Sequence, residues 1–194
     1  MHGRAERSVP SAVQTFLRAT GYIGEEVTRA LSALSPEEVA RAVEMLGRAP
    51  KTFVYGAGRS GIIARAFAMR LVQVGLTAFV IGESVTPIVR RGDAVVIFSN
   101  RGESQTSVQT ANIVRREGAG LLVVTARGNS KLAHAATLLL ELDLRDAPER
   151  PRLAPLGTLF EAASLRLSDG LIAALMERRR ETEESLRRRH AIMV

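Results

Sequence analysis

A chain of 194 residues, 46% hydrophobic and with no excess of Gly or Pro, suits one ordered domain with room for a small appendage. It has no cysteine, which excludes disulfides, thiolate catalysis and cysteine-bound zinc or iron–sulfur centres. The net charge of +7 is almost all arginine, with lysine only at Lys51 and Lys131; with 4% aromatic residues and no recognised motif, it points to anionic small substrates rather than nucleic acid.

The opening residues, MHGRAERSVPSAVQTF, hold no apolar stretch of signal-peptide length, and no later run approaches a membrane span. A cytoplasmic protein with no membrane partner is expected. Residues 10 to about 48 read as helix: Val27, Ala30, Leu31 and Leu34 recur at i, i+3, i+4 and i+7. Ser35-Pro36-Glu37-Glu38 is a restart signal, with a serine cap, proline at the first helical position and Glu38 to close a capping box. Val39, Val43 and Leu46 continue an apolar face. This N-terminal helical segment, residues 1–48, must bury its stripes against the body of the domain or against another subunit.

From Lys51 the rhythm becomes strand–helix alternation. KTFVY, LTAFVIG, DAVVIFS, AGLLVVT and ATLLLEL are five apolar runs. Between them lie GAGRSG with the helical IIARAFAMRLVQVG, the helix TSVQTANIVRREG, and a short helix after Ser130. Apolar strands separated by helices of ten or more residues imply a parallel sheet covered on both faces. The predicted class is α/β: a three-layer αβα sandwich with a five-stranded parallel sheet, Rossmann-like, over residues 49–194 and preceded by N-terminal helices. RDAPERPRLAP reads as a loop, followed by one long helix from about Thr158 to Arg179 and a last short one over Glu183 to His190. In the tail, Arg178–Arg180 and Arg187–Arg189 alternate with Glu177, Glu181, Glu183 and Glu184, as on a solvated, ion-paired helix face.

In open parallel sheets ligands bind beyond the carboxyl ends of the strands, which points to GAGRSG, SNRGESQTS and TARGNS. Gly56-Ala57-Gly58-Arg59-Ser60-Gly61 fits G-x-G-x-x-G, and Glu83 supplies a downstream acid for a dinucleotide ribose. Arg59 and Ser60 fit that reading poorly, so nucleotide, sugar-phosphate and purely structural readings stand side by side. In the third loop Ser99, Ser104, Thr106 and Ser107 place hydroxyls and helix-start N–H groups near one point, a cradle for a phosphate monoester. Plain helix capping by Ser104 explains one of these serines but not Ser99 with Gly102. Thr158-Leu159-Phe160-Glu161 is a T-x-x-E capping box, which gives Glu161 a structural role. Glu161 also shares a stripe with Leu165, Ser168, Ile172 and Leu175, where partial burial would raise a carboxyl pKa towards that of a general base.

GAGRSG, GESVTP at 82–87, the serine loop, LAPLGTLFE at 153–161 and RRHA at 188–191, in this order, resemble the 6-phospho-3-hexuloisomerases of the sugar isomerase (SIS) domain superfamily over essentially the whole chain. The last two motifs are the more specific. The family usually reads S-G-S-G-E-T in the serine loop; here Ser99, Gly102, Glu103 and Ser104 keep the pattern, while Asn100 and Arg101 replace a glycine and a serine. Arg101 either grips the phosphate through paired charged hydrogen bonds or swings outward as a surface residue. The chain also ends Ile192-Met193-Val194, where the family often continues with acidic residues.

The resemblance implies interconversion of D-arabino-hex-3-ulose 6-phosphate and D-fructose 6-phosphate through an enediolate, with no cofactor. It makes Glu161 and His190 the catalytic pair, His190 otherwise reading as a surface histidine. Ser99, Arg101, Glu103, Ser104 and Ser107 would hold phosphate, and Gly58, Arg59 and Ser60 would line the sugar side. It further implies a homo-oligomer, typically a tetramer, with sites at subunit contacts, serving formaldehyde fixation or its reverse in pentose supply. A non-catalytic phosphosugar-binding protein and an NAD-dependent enzyme are the alternatives. His134 reads as structural or exposed and His2 as a disordered terminus; no His/Asp/Glu cluster has metal-ligand spacing.

Overall fold

The apolar runs form five strands: β1 (Thr52–Gly56), β2 (Ala78–Val80), β3 (Ala94–Phe98), β4 (Gly120–Thr125) and β5 (Leu138–Glu141). Around them lie α1 (Ser11–Ser32), α2 (Pro36–Arg48), α3 (Arg59–Gln73), α4 (Gln105–Glu117), α5 (Lys131–Ala135), α6 (Arg150–Leu153), α7 (Thr158–Arg179) and α8 (Glu183–Arg188). This computed structural model describes residues 11–191; His2 and Ile192–Val194 lie outside the described residues. The strands pair in the order β2-β1-β3-β4-β5, all parallel, with Val54 beside Val96, Val96 beside Leu122, and Leu122 beside Leu138.

Side chains alternate across this sheet with the strand period of two. Val54, Val96, Phe98, Leu122, Val124 and Leu140 face one core with α1, α2, α3 and α7. Phe53, Val95, Ile97, Leu121 and Val123 face the other, with α4 and α5. The central strand β3 is buried along its whole length, as a strand covered on both faces must be. Edge-to-face contact between Phe67 of α3 and Phe98 of β3, centroids 6.0 Å apart, fixes α3 over the end of β3. The three-layer αβα sandwich is therefore the observed architecture.

The leading helices pack in their own chain: Val27 of α1 with Ala42 and Leu46 of α2 join the core, and both helices lie against α7. Ser35 caps α2 by accepting the Glu38 N–H at 3.3 Å. The capping box is half made: the Glu38 side chain forms no bond back to the Ser35 N–H, and the Ser35 hydroxyl also donates to Glu37 Oε2 at 2.7 Å. Residues 81–93, between β2 and β3, contain no helix: Gly82 and Gly92 take φ of 102° and 93°, and Pro87 lies between them. The β4–β5 connection carries the five-residue α5, the short helix expected after Ser130. Conversely, the segment read as a loop after β5 contains the one-turn α6, with Pro151 in its first turn.

That segment is clamped from outside. Arg29 of α1 donates to Asp143 Oδ2 at 3.0 Å and to its carbonyl at 2.6 Å, and Arg18 meets Glu149 at 2.5 Å. Phe98, fully enclosed between α3 and the sheet, ends at the first residue of the serine loop. Replacing it by Ala should lower the unfolding free energy by about 3–5 kcal/mol, read from denaturant melts.

Candidate active site at the carboxyl ends of the strands

Every strand points the same way, so the segments that follow β1, β3 and β4 meet at one edge. After β1 the glycines act at close quarters. A Cβ on Gly56 would lie 2.6 Å from Ser60 carbonyl atoms, and one on Gly61 2.6 Å from the Gly56 carbonyl oxygen. Gly58, at φ 58°, turns the chain into α3. Glu83 is engaged by Arg65 at 3.0 Å rather than free for a ribose.

The serine loop is pinned to β4: the Asn100 carbonyl accepts from Ala126 N–H at 3.1 Å and from the Thr125 hydroxyl at 3.2 Å. Ser99 is buried and accepts the Gly102 N–H at 3.2 Å, closing the turn. Gly102 has φ 65°, and a Cβ there would lie 2.0 Å from Ser130 Oγ, so no other residue fits without displacement. Ser104 occupies the cap position of α4 yet makes no capping bond; its hydroxyl meets Thr106 Oγ1 at 3.0 Å. Ser107, one turn in, is fully buried with a hydroxyl that has no partner. Glu103 turns to α5, accepting the Lys131 N–H at 3.1 Å, with Lys131 Nζ at 3.6 Å. Its place in the structure is thus at the start of α5, beside the serines rather than among them.

Glu161 arrives from the first turn of α7. It does not close a T-x-x-E box, because α7 starts at Thr158 itself, whose hydroxyl donates to Pro155 at 2.6 Å. The carboxylate folds over Gly157, where a Cβ would come 2.8 Å from its Oε1 and 3.8 Å from Asn100 Nδ2. Its side chain is only 13% exposed, and Arg59 Nη2 lies 2.7 Å from Oε2. The contact is an ion pair not aligned as a hydrogen bond, which leaves Oε2 an unused acceptor. Ser168, Ile172 and Leu175 of the predicted stripe are buried, whereas Leu165 is exposed. Between Ala154 and Glu161, Leu156 takes φ 56° and is 87% exposed, a strained conformation at a non-glycine residue.

The starts of α3, α4 and α7 all lack a side-chain cap, whereas α2, α5 and α8 are capped by Ser35, Ser130 and Thr182. Free N–H groups at a helix start favour an anion. Arg59, Ser60, Ser104, Ser107 and Glu161 are thus gathered around three open helix starts. His190 is not gathered with them. Its neighbour Arg189 donates to the Gln73 carbonyl at 3.0 Å, at the far end of α3 from Arg59. Fifteen helical residues span roughly 22 Å. Hydrogen bonds from Arg189 and from Ser185 hold the Glu181 carboxyl below the usual carboxylate range and tie α8 down there. His190 itself is exposed, with Nδ1 2.9 Å from the Ala191 carbonyl oxygen.

A cleft of about 540 Å³ adjoins Gly157, bordered by Asn100, Arg101, Arg127, Arg150 and Leu156 among others. Arg127 and Leu156 were not singled out from sequence. The strand-end rule had marked the loop TARGNS as a whole, and only the fold shows which of its side chains borders a hollow.

Comparison with known proteins follows the same lines. The SIS domain family matches residues 45–159. An uncharacterised protein of Archaeoglobus fulgidus is 35% identical, covering 92% of this chain and all of its own. A protein of Methylomonas aminofaciens named 3-hexulose-6-phosphate isomerase is 33% identical over 78% of this chain and 84% of its own. Among solved structures, that of a hypothetical protein superposes with a TM-score of 0.88 at 34% identity, covering 93% of this chain and 98% of its own.

Gly102→Ala should lower the melting temperature by about 4–10 °C, through a strained φ and displacement of Ser130 from the start of α5. Adding Ser130→Gly should recover part of that loss in a double-mutant cycle, since it removes the atom struck; fully additive losses would place the cost in φ alone.

Proposed function

The chain belongs to the SIS domain family, and on that footing we propose that it is a phosphosugar isomerase interconverting D-arabino-hex-3-ulose 6-phosphate and D-fructose 6-phosphate. One observation carries the reading: a shielded carboxylate with an unused lone pair stands beside open helix starts that suit a phosphate. The relative named 3-hexulose-6-phosphate isomerase supports the choice of substrate.

The reaction moves a carbonyl from C3 to C2. Glu161 takes the proton from C2, the electron pair moves into a 2,3-enediolate, and the same carboxyl returns a proton at C3 while the O2 proton transfers to O3. The Arg59 guanidinium, already against Glu161, stabilises charge on the enediolate oxygens. Ser104, Ser107 and the first N–H groups of α4 hold the phosphate, with Ser99 keeping their turn closed. Gly58 and Ser60 line the sugar.

His190 assists the hydroxyl protons or ring opening from another subunit, because in its own chain it lies at the opposite end of α3. A homo-oligomer, tetrameric by family resemblance, supplies it. Ile62, Met69 and Val72, exposed along α3, give such an assembly an apolar face. A phosphosugar sensor without turnover is the second reading, drawn from Asn100 and Arg101 in place of small residues.

Assay of both ketose phosphates tests the proposal. The protein should convert each into the other, and Glu161→Gln should lose roughly 10²–10⁴-fold in kcat with its circular dichroism unchanged. Near-normal turnover in that variant removes Glu161 from the mechanism; binding without turnover in the unaltered protein favours the sensor.

A further inference from the structure

Arg101 borders two hollows, and Arg127 borders both with it. One is the cleft of about 540 Å³ that reaches from Asn100 to Gly157 and also takes in Arg150 and Asp146. The other, of about 310 Å³, lies between Arg101, Glu103, Arg127, Asn129 and Ser130. Among the described residues, Arg150 alone of the three arginines has a counter-charge, Asp146 at 3.6 Å. Among the described residues neither Arg101 nor Arg127 meets a carboxylate, and Glu103, the acid between them and α5, is taken by Lys131. Two unpaired guanidinium groups facing one concavity repel each other, and an anion between them removes that cost. Their planar forks suit phosphate or carboxylate oxygens in pairs.

Neither hollow is bordered by Ser60, Ser104 or Ser107. The arginine pair thus borders hollows that take in Glu103, next to Ser104, but not the serine hydroxyls themselves, and the larger hollow reaches Gly157, over which Glu161 lies. A sugar chain whose middle carbons reach Glu161 would have one end at the serines and the other at the arginines.

We propose that Arg101 and Arg127 form a second anion subsite, so that the ligands bound best are phosphosugars with a second phosphate or carboxylate at the other end of the carbon chain. The proposal rests on the phosphosugar reading above and adds to its two hexulose monophosphates a class of doubly anionic sugars that occupy the same site. Calorimetric titration of the full chain with D-fructose 6-phosphate and D-fructose 1,6-bisphosphate tests it. The bisphosphate should bind about tenfold tighter or more, a preference that shrinks as sodium chloride is raised. Arg101→Ser or Arg127→Ser should bring the ratio close to one, and Arg127→Lys should restore part of it. Ser104→Ala should weaken both ligands together. Equal affinities in the unaltered protein overturn the proposal. So does a loss in the arginine variants shared equally by both sugars, which would assign the pair to the single phosphate cradle. Absence of binding by either sugar overturns the phosphosugar reading and this proposal with it.

Discussion

The common direction of the five strands is the constraint from which the site follows. A parallel sheet sends the chain into a new segment at the same edge each time, and two long helices, α3 and α4, begin there with N–H groups outward. The last long helix, α7, returns to that edge and begins there too, beside Asn100. At α2, α5 and α8 the molecule satisfies such starts with hydroxyls from Ser35, Ser130 and Thr182. At α3, α4 and α7 it leaves them open, and each forgone cap is worth typically about 1 kcal/mol. Free N–H groups of this kind favour an anion.

The ion pair of Arg59 and Glu161 joins the first strand-end loop to the last long helix, two parts of the chain about a hundred residues apart. Its precision depends on small residues. Gly157 lets the carboxylate lie flat against the loop, and Gly102 lets the serine turn approach Ser130. Support comes from outside the site as well, since α1 holds the segment from Asp143 to Glu149 through Arg29 and Arg18. The leading helices thus steady one wall of the cleft as well as covering the core.

The other end of the molecule has its own electrostatic fastening. Glu181 and Arg189 hold α8 against the carbonyl end of α3, and His190 follows directly. A histidine so placed is remote from Glu161 in its own chain and exposed. Phe16 and Leu17 on α1 and Ile62 and Met69 on α3 leave apolar surface exposed on these helices.

Much of this was legible in the sequence because its signals are local. Alternating apolar runs fixed the five strands, the serine–proline pair fixed the start of α2, and glycine spacing marked the turn into α3. Glu161 and the serine loop were identified by motif and resemblance. What stayed hidden was contact between distant segments. T-x-x-E suggested a capping box for Glu161, yet the start of α7 is uncapped and its partner is Arg59. Ser104 sits at the cap position of α4 without capping it, Glu103 also meets the start of α5, and only the fold sets Arg127 beside Arg101. Sequence spacing decides which way a side chain faces along its own element, whereas the partner it meets depends on how the strands order themselves in the sheet, which only long-range packing determines.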